Sequence, residues 1–263
     1  IRKVVSEIFG AENMIKGIIP QLVTPLDNNG NVCEQSVKKL IEFVSPYSSA
    51  LMPTLSSGEG WILSDKQFED MIRFTVKYAK LPVFAGVEFK TTEEVIEKAK
   101  IAKSLGAHAI VITTPFVRNI TQKEIYEHFK KIKDQVNIPV FIYNEQAISG
   151  NSISFETIIK ICKLGNIIGI KEASGSAGFT QKLVQARLTA SMNVPIFQGW
   201  EHLCFDSKGV EGYILPLSNL EPKFCFEMLK DTTLEKQEKI NLLCEKYNIS
   251  GSDWFIFLKK ELC

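Results

Sequence analysis

The stretch "LPVFAGVEFKTTEEVIEKAKIAKSLGAHAIVITT", residues 81–114, decides the fold. It begins with a short apolar run typical of a strand, 81–87, and continues through an amphipathic segment of helical period, 91–105. It ends in a second apolar run, 107–114. Threonines followed by acidic residues at 91–94 are typical of a helix N-terminus. The order strand, helix, strand predicts two parallel strands joined by a helix.

The same unit repeats along the chain. Helical patterns also occupy 64–80 and 121–135, and apolar runs predict eight strands, at 17–24, 49–55, 81–87, 107–114, 138–144, 166–172, 194–199 and 210–216. Eight repeats in about 250 residues match a closed (β/α)8 TIM barrel. An open doubly wound sheet would need a glycine-rich turn after its first strand, but that turn reads "VTPLDNNGN", residues 23–31. The sequence therefore predicts an α/β protein with the barrel fold.

One domain accounts for the length and composition. The chain has 263 residues, of which 45% are hydrophobic, and this suits a single sizeable core. We expect the barrel to span 14–218 and a short C-terminal helical extension of the same domain to span 219–263. Residues 1–13 precede Met14 and the first strand, and we expect an N-terminal extension or a tag there.

Charge and cysteine usage exclude several classes of protein. Lysine and arginine number 31 against 30 acidic residues, so no electrostatic field favours nucleic acid or an anionic membrane surface. No apolar run is long enough to span a membrane, and the opening residues are too charged for a secretory signal. The six cysteines are scattered without zinc-site spacing. We expect a cytoplasmic protein whose partners are small molecules or other protein chains.

Lys171 is the principal candidate for catalysis. It follows a short apolar run in "NIIGIKEASGS", residues 166–176, and so lies at the carboxyl end of a predicted strand, where barrels place their active sites. Desolvation lowers the pKa of a lysine and makes its amine a nucleophile that forms a Schiff base with a carbonyl. The alternative is a lysine whose stem lines the strand end while its ammonium group reaches solvent.

Two further groups end neighbouring strands. Tyr143 closes the preceding strand, and a phenol beside an amine can transfer the proton that loss of water from the adduct requires. Ser56 and Ser57, in "LSSGEG", residues 55–60, offer hydroxyl groups that can bind a carboxylate. The alternatives are an aromatic ring that fills the barrel end and a turn whose serines bond their own backbone.

Other polar residues are weaker candidates. His202 can lie above the barrel mouth, whereas His108 and His128 are expected to be structural. The run "ASGSAGF", residues 173–179, is compatible with a phosphate site, but a turn with Ser176 capping the next helix is favoured. Glu59 and Glu172 are interpreted as helix-start residues rather than catalytic acids.

Taken together, these segments resemble the family of dihydrodipicolinate synthase and N-acetylneuraminate lyase, the class I pyruvate-dependent aldolases. The resemblance runs in order along the chain through "GIIPQLVTPLDNNGNV", "LSSGEG", "IYN", "GIKEASG" and "GYILP", which begin at residues 17, 55, 142, 169 and 212. Five segments in the family's order are far more specific than any one of them.

The resemblance implies a mechanism and a set of partners. Lys171 would form an imine with pyruvate or a related 2-oxo acid, and Tyr143 would shuttle protons. Ser56 and Ser57 would hold the carboxylate, and the backbone at Ile214 would position the keto acid. The second substrate would be an aldehyde, no metal or organic cofactor would be needed, and the chain would form a homo-oligomer, a dimer or a tetramer. The nearest label is a 4-hydroxy-tetrahydrodipicolinate synthase-like enzyme, with N-acetylneuraminate lyase or a 2-keto-3-deoxy sugar acid aldolase as the alternative.

Several positions depart from the family pattern. Val117 stands where the synthase carries a relay tyrosine, and Ile148 stands where it carries the arginine that binds the aldehyde's carboxylate. The lyase's sugar-binding pattern is absent from "GWEHL", residues 199–203, and Leu215 replaces a serine of the last strand. These departures motivate a second hypothesis, a non-catalytic descendant of the family that binds a keto acid.

Overall fold

The computed structural model describes residues 14–189 and 192–249, together with residues 251, 256 and 259. The predicted N-terminal extension at 1–13 lies outside the described residues, and so do most residues after 249 of the C-terminal extension expected at 219–263. Cys263 also lies outside them, and the other five cysteines carry free thiols.

The described residues form seven strands and eight α-helices. The strands are β1 Gly17–Ile18, β2 Phe84–Gly86, β3 Ala109–Ile112, β4 Val140–Glu145, β5 Ile167–Ala173, β6 Ile196–Gln198 and β7 Gly212–Tyr213. The helices are α1 Glu34–Val44, α2 Asp65–Tyr78, α3 Thr92–Ser104, α4 Gln122–Val136, α5 Phe155–Cys162, α6 Ala177–Leu188, α7 Pro222–Met228 and α8 Leu234–Lys246. Short 3₁₀ turns follow several strand ends, at Ser56–Gly58, Glu201–Leu203 and Pro216–Asn219.

All seven strands are parallel and hydrogen-bonded in the order β1-β7-β6-β5-β4-β3-β2. The segment at Leu51 and Met52 fills the gap between the two edges, because Leu51 pairs with Val83 before β2 and Met52 pairs with Gln21 after β1. The ring of backbone pairing is therefore closed, and the predicted TIM-barrel fold is confirmed.

The second predicted strand, 49–55, is shorter than expected: it pairs with its neighbours through isolated bridges at Leu51 and Met52, and its backbone hydrogen bonds to them extend only from Ser49 to Pro53. Proline has no N–H to give to a sheet, and Pro53 is followed by Thr54 with a backbone φ of 58°. Extended pairing cannot continue through that left-handed residue. Pro20 likewise interrupts the predicted strand 17–24, of which Gly17–Ile18 remains as β1.

The helices begin where the sequence predicts. Ser64, Thr91 and Thr121 each cap the following helix by accepting a hydrogen bond from the backbone N–H three residues later. At each of them the third helical residue, a glutamate or glutamine, bonds back to the N-cap N–H and completes a capping box. The predicted helices 64–80, 91–105 and 121–135 are confirmed to within two residues at each end.

The two faces of the sheet bury different clusters. Inward-pointing residues such as Phe84, Phe141 and Phe197 fill the barrel, and the ring centroids of Phe141 and Phe197 lie 5.5 Å apart. The residues that follow these in sequence, such as Ala85 and Ile142, point outward and pack under the helices. This alternation extends to the strand ends and decides which polar side chains face the barrel axis.

The last two helices pack outside the barrel. α7 and α8 bury Met228 and Ile240 in a cluster with Ile18 of β1 and Tyr213 of β7. This covers the outer face of the β1–β7 pair. Among the residues that the structure describes, no helix combines the length and the apolarity that crossing a membrane requires.

The fit of Gly169 under Phe141 yields a test of the core. A Cβ added at Gly169 would overlap the ring of Phe141 in the next strand. Gly169→Ala should therefore displace that ring and lower the free energy of unfolding by about 1–3 kcal/mol, the usual cost of overpacking. Urea denaturation measures the change.

Gly178→Ala is the matched control, because an added Cβ there would find its nearest atom, Ser176 Oγ, at 3.9 Å. That variant should be neutral or slightly stabilising, since Gly178 lies in the first turn of α6 and alanine favours helix. Equal stability of Gly169→Ala and the unmodified protein would contradict the close packing of Gly169 against the Phe141 ring.

Candidate active site

The Lys171 side chain lies inside the barrel at its carboxyl-terminal end. It belongs to the inward-facing set of β5 and is only 1% exposed. Its ammonium or amine group donates a hydrogen bond to Gln21 Oε1 at 2.9 Å. Gly199 makes room for the lysine stem, because a Cβ at that position would lie 3.0 Å from Lys171 Cε. The predicted nucleophile is thus enclosed by protein rather than extended into solvent.

Burial lowers the pKa of Lys171 from 10.5 to about 7. The carboxyl groups of Glu88, Glu145 and Glu201 act in the opposite direction, since a negative charge favours the ammonium form, but burial is the larger effect. About half of the protein then carries a neutral amine at pH 7, compared with a negligible fraction for an exposed lysine. This is the condition for nucleophilic attack on a carbonyl.

Tyr143 lies beside Lys171, because the two residues are register partners in β4 and β5. Lys171 Nζ is 3.7 Å from the centroid of the tyrosine ring. Ser56 Oγ donates a hydrogen bond to Tyr143 Oη at 3.1 Å, although the two residues are far apart in sequence. Burial raises the pKa of Tyr143 well above its ordinary value of 10, and the charges of Glu145 and Glu88 add to the effect. The side chain is therefore a phenol, not a phenolate, at neutral pH.

The two serines lie on the 3₁₀ turn Ser56–Gly58, directly above the barrel core. The turn is held down by Thr24 Oγ1, which donates to the carbonyl oxygen of Gly58 at 2.7 Å. Ser57 Oγ is buried and finds no hydrogen-bond partner among the described residues. Such a hydroxyl is rare in a folded protein and is suited to binding a ligand oxygen.

Ile214 follows β7 and its side chain is buried inside the barrel. Its backbone N–H donates to the carbonyl oxygen of Gln198 at 3.0 Å. Because that N–H is already used, only the carbonyl oxygen of Ile214 can position a ligand. The structure thus places all five predicted site residues at the same end of the barrel, and it joins three of them, Lys171, Tyr143 and Ser56, by direct contacts.

Three buried glutamates surround this group and escaped the sequence analysis as functional residues. Glu88 follows β2, Glu145 ends β4 and Glu201 begins the 3₁₀ turn after β6. Each is at least 95% buried, and each acts electrostatically on Lys171. A signal was present in the sequence for Glu88, which directly follows an apolar run as Lys171 does, and a weaker one for Glu145, which is separated from its apolar run by Asn144.

The three carboxyl groups have different partners. Glu145 accepts hydrogen bonds from the backbone N–H groups of Ile148, at 2.8 Å, and Ser149. Glu201 accepts one from the N–H of Leu217 at 3.1 Å. Glu88 is 0% exposed, and neither of its oxygens has a hydrogen-bond partner among the described residues. Burial raises the pKa of Glu88 to about 8 and that of Glu201 to about 7.

Gln21 is a further residue that the sequence analysis missed. It follows Pro20 in the short first strand region and supplies the oxygen that Lys171 contacts. Its own carbonyl oxygen accepts a hydrogen bond from Asn219 Nδ2 at 2.9 Å, which fixes its backbone. The sequence contains no motif that marks this glutamine.

The histidines occupy the positions expected of them. His108 lies at the start of β3, where its Nδ1 accepts the backbone N–H of Val83 at 3.1 Å. His128 bridges Thr92 Oγ1 and the carbonyl oxygen of Thr113, and burial lowers its pKa to about 4. Both are structural, as predicted. His202 is exposed and its ring lies 5.7 Å from that of Trp200.

The remaining candidates also find structural partners. Ser176 caps α6 by accepting from the N–H of Phe179, which favours the turn interpretation of 173–179. Glu172 points away from the barrel axis and accepts from Asn144 Nδ2 at 2.7 Å and from the N–H of Ser174. Glu59 forms an ion pair with Lys259.

The positions that depart from the family pattern border the mouth. The Val117 side chain is 48% exposed, and Ile148 is partly buried. Neither offers a polar group to the site. Trp200 covers the barrel interior, with its Nε1–H donating to the carbonyl oxygen of Ala173 at 2.8 Å.

Known proteins share sequence with this chain over most of its length. The model of the dihydrodipicolinate synthetase family matches residues 14–250. The 4-hydroxy-tetrahydrodipicolinate synthase of Bartonella bacilliformis is 33% identical over 221 residues, which cover 82% of this chain and 74% of that protein.

Solved structures show the same architecture. The chloride-inhibited dihydrodipicolinate synthase of Acinetobacter baumannii, complexed with pyruvate, is 28% identical with a TM-score of 0.78, and the match covers 90% of this chain and 82% of that one. A prophage protein of the dihydrodipicolinic acid synthase family from E. coli K12, also in complex with pyruvate, has a TM-score of 0.87 over 94% of this chain and 87% of its own. Because it is only 21% identical, it bears on the fold alone.

The buried Glu88 predicts a pH-dependent stability. An unfolded chain ionises this glutamate near its ordinary pKa of 4.5, whereas the folded protein keeps the proton up to about pH 8. Between these values the folded state binds the extra proton, so Glu88 lowers stability progressively as pH rises. Glu88→Gln removes this penalty. Its stability relative to the unmodified protein should be close to unchanged near pH 4.5 and should rise by up to a few kcal/mol above pH 8.

Thermal unfolding followed across this pH range measures the effect. Glu97→Gln, on the exposed face of α3, is the control and should show no such trend. A constant difference between Glu88→Gln and the unmodified protein at every pH would show that Glu88 is not held in its protonated form.

Proposed function

Because the chain belongs to the dihydrodipicolinate synthetase family, we propose that it is a class I lyase that forms a Schiff base between Lys171 and a 2-oxo acid. The simplest such acid is pyruvate, and the reaction makes or breaks a carbon–carbon bond to an aldehyde. The observation that carries the proposal is the enclosed Lys171 amine, whose pKa falls to about 7 beside the Tyr143 ring.

In the proposed reaction the neutral Lys171 Nζ attacks the carbonyl carbon of the keto acid. The carboxylate of the acid binds the Ser56–Gly58 turn, where the unpartnered Ser57 hydroxyl donates to it. The carbonyl oxygen of Ile214 helps to orient the substrate. The protonated imine then withdraws electrons from the adjacent bond, and this is how class I aldolases stabilise the carbanion.

Tyr143 is proposed to transfer protons at the same centre. Its hydroxyl accepts from Ser56 Oγ and so is held between the carboxylate-binding turn and the amine. Since its pKa is well above 10, Tyr143 is a weak acid and depends on another group for the proton it passes on.

For the second substrate, the nearest label is a 4-hydroxy-tetrahydrodipicolinate synthase-like enzyme, supported by the names of the curated relatives. A 2-keto-3-deoxy sugar acid aldolase is the second candidate, and the environment of Ile148 favours it. Ile148 cannot pair with a carboxylate, and Glu145, bonded to the Ile148 N–H, would repel one. An uncharged, hydroxylated aldehyde suits such a loop.

A pyruvate-coupled panel separates these candidates. Turnover of aspartate semialdehyde supports the synthase-like assignment, and release of pyruvate from 2-keto-3-deoxy sugar acids supports the aldolase. Pyruvate binding by calorimetry without turnover of any member of the panel supports the third possibility, a non-catalytic descendant. We further propose that the protein acts in the cytoplasm as a homo-oligomer.

Trapping with borohydride tests the Schiff base directly. Incubation with pyruvate and borohydride should attach a reduced pyruvate to the peptide that contains Lys171, as read by mass spectrometry. The trapping rate should increase as pH rises through about 7, because the amine form of Lys171 becomes dominant there. Lys171→Met should give no adduct.

Lys98→Met is the matched control, because Lys98 is also largely buried but lies on α3, where it pairs with Asp65. It should be trapped as efficiently as the unmodified protein. An adduct on another lysine, or an adduct that survives Lys171→Met, would reject the assignment.

A further inference from the structure

Glu88 is a buried acid that no part of the proposed mechanism yet uses. Its carboxyl group is 0% exposed, and both of its oxygens are without a hydrogen-bond partner among the described residues. A buried polar group without a partner costs stability, so its presence at the barrel mouth calls for a role. The other two glutamates of the mouth are held by backbone N–H groups, whereas Glu88 is not.

The sheet register places Glu88 level with the reactive amine. Backbone pairing runs from Gly86 in β2 through β3 and β4 to Gly169 in β5. Glu88 lies two residues after Gly86, and Lys171 lies two residues after Gly169. Tyr143 occupies the corresponding position in β4. Because side chains alternate between the two faces, all three point toward the barrel axis. Glu88 and Lys171 are three strands apart around the ring, so they approach each other across the barrel interior.

The electrostatics agree with this proximity. The charge on Glu88 is the largest of the influences that oppose the lowered pKa of Lys171, and it also raises the pKa of Tyr143. The titratable groups that interact with Glu88 are Lys171 from β5 and Tyr143 and Glu145 from β4, while Glu201, in the turn after β6, acts on Lys171 and Tyr143. Burial has a larger effect on the pKa of Glu88 than any of these charges, and it keeps the Glu88 carboxyl group protonated at neutral pH.

We propose that Glu88 is the acid–base catalyst of the imine chemistry at Lys171. Its carboxyl group donates a proton to the hydroxyl group of the first adduct, and the resulting carboxylate then removes a proton from the carbon next to the imine. This inference rests on the proposed function, because it assumes that Lys171 forms an imine with a 2-oxo acid.

The proton balance closes over the two steps. Attack by the neutral amine forms the C–N bond, and one amine proton moves to the former carbonyl oxygen to give a neutral carbinolamine. Glu88 protonates that hydroxyl group, the C–O bond breaks, and water leaves while the nitrogen lone pair forms the C=N bond. The product is a protonated imine with Glu88 as its carboxylate counter-ion. Glu88 then accepts a proton from C3, which gives the enamine and restores the carboxyl group.

The other groups of the site are less suited to this task. Tyr143, whose pKa is raised well above 10, depends on another group for the proton that it passes on. Val117, half exposed and apolar, supplies no proton. Glu145 and Glu201 accept hydrogen bonds from backbone N–H groups, and these bonds favour the carboxylate form and fix its position. Glu88 alone among the three acids has both oxygens without a partner in the described chain.

Proton exchange on pyruvate tests the proposal without any aldehyde. In D₂O the full-length protein should exchange the methyl protons of pyruvate through the enamine, a process that NMR follows, while borohydride trapping reports the imine. Glu88→Gln should slow exchange by about 10²-fold or more, the usual contribution of a positioned acid–base group. It should still give an adduct on Lys171 after long incubation, because the nucleophile is intact.

The pH profile identifies the titrating group. For the unmodified protein, exchange should rise through about pH 7 as the amine forms and fall above about pH 8 as Glu88 ionises. Glu88→Gln should lose the fall at high pH. Glu88→Asp, which retains a carboxyl group on a shorter stem, should recover part of the rate.

Glu172→Gln is the control for loss of a buried carboxyl group, because Glu172 is 1% exposed but points to the outer face of the sheet. It should keep the wild-type profile. If the unmodified protein exchanges and traps pyruvate but Glu88→Gln does so equally fast, the role of Glu88 is overturned while the proposed function stands. An equal loss in Glu172→Gln overturns the role as well. Absence of both trapping and exchange in the unmodified protein overturns the proposed function together with the role of Glu88.

Discussion

The removal of the Lys171 amine from water is the constraint on which the rest of the site depends. A closed ring of parallel strands buries residues on both faces, so a lysine that points inward has no route for its charge to reach solvent. The cost of that burial is what lowers its pKa. Gly199 and Gln21 serve the same arrangement, the first by leaving space for the stem and the second by bonding the nitrogen.

The barrel mouth concentrates polar groups that the fold itself does not satisfy. Ser57, Glu88, Thr114 and Ser174 all lie at or just beyond the carboxyl ends of strands, and each has a buried side-chain oxygen without a partner among the described residues. Buried groups of this kind reduce stability and are typical of sites built for a ligand rather than for packing. Glu145 and Glu201 also make the mouth acidic, and the charges of both act on Lys171.

The sequence predicted the helices more closely than the strands, for a local reason. Helix ends are fixed by side chains three residues apart, and the capping boxes at Ser64, Thr91 and Thr121 use only such neighbours. A strand ends where its hydrogen bonds to the neighbouring strand end, so the length of an apolar run in the sequence overestimates the length of the strand. Pro53 and the left-handed Thr54 show this, because the pairing of the predicted strand 49–55 stops at Pro53.

The sequence by itself determined the barrel, the positions of Lys171 and Tyr143 at strand ends, and the serine turn after the second strand position. These follow from the period of apolar residues and from the order of short motifs, both of which are local properties of the chain. Only the tertiary structure decided that Gln21 would contact Lys171 and that Glu88 would share its level in the barrel. The physical reason is register: which residues of non-adjacent strands meet inside a closed sheet depends on hydrogen bonds between segments distant in the chain, and no local pattern encodes them.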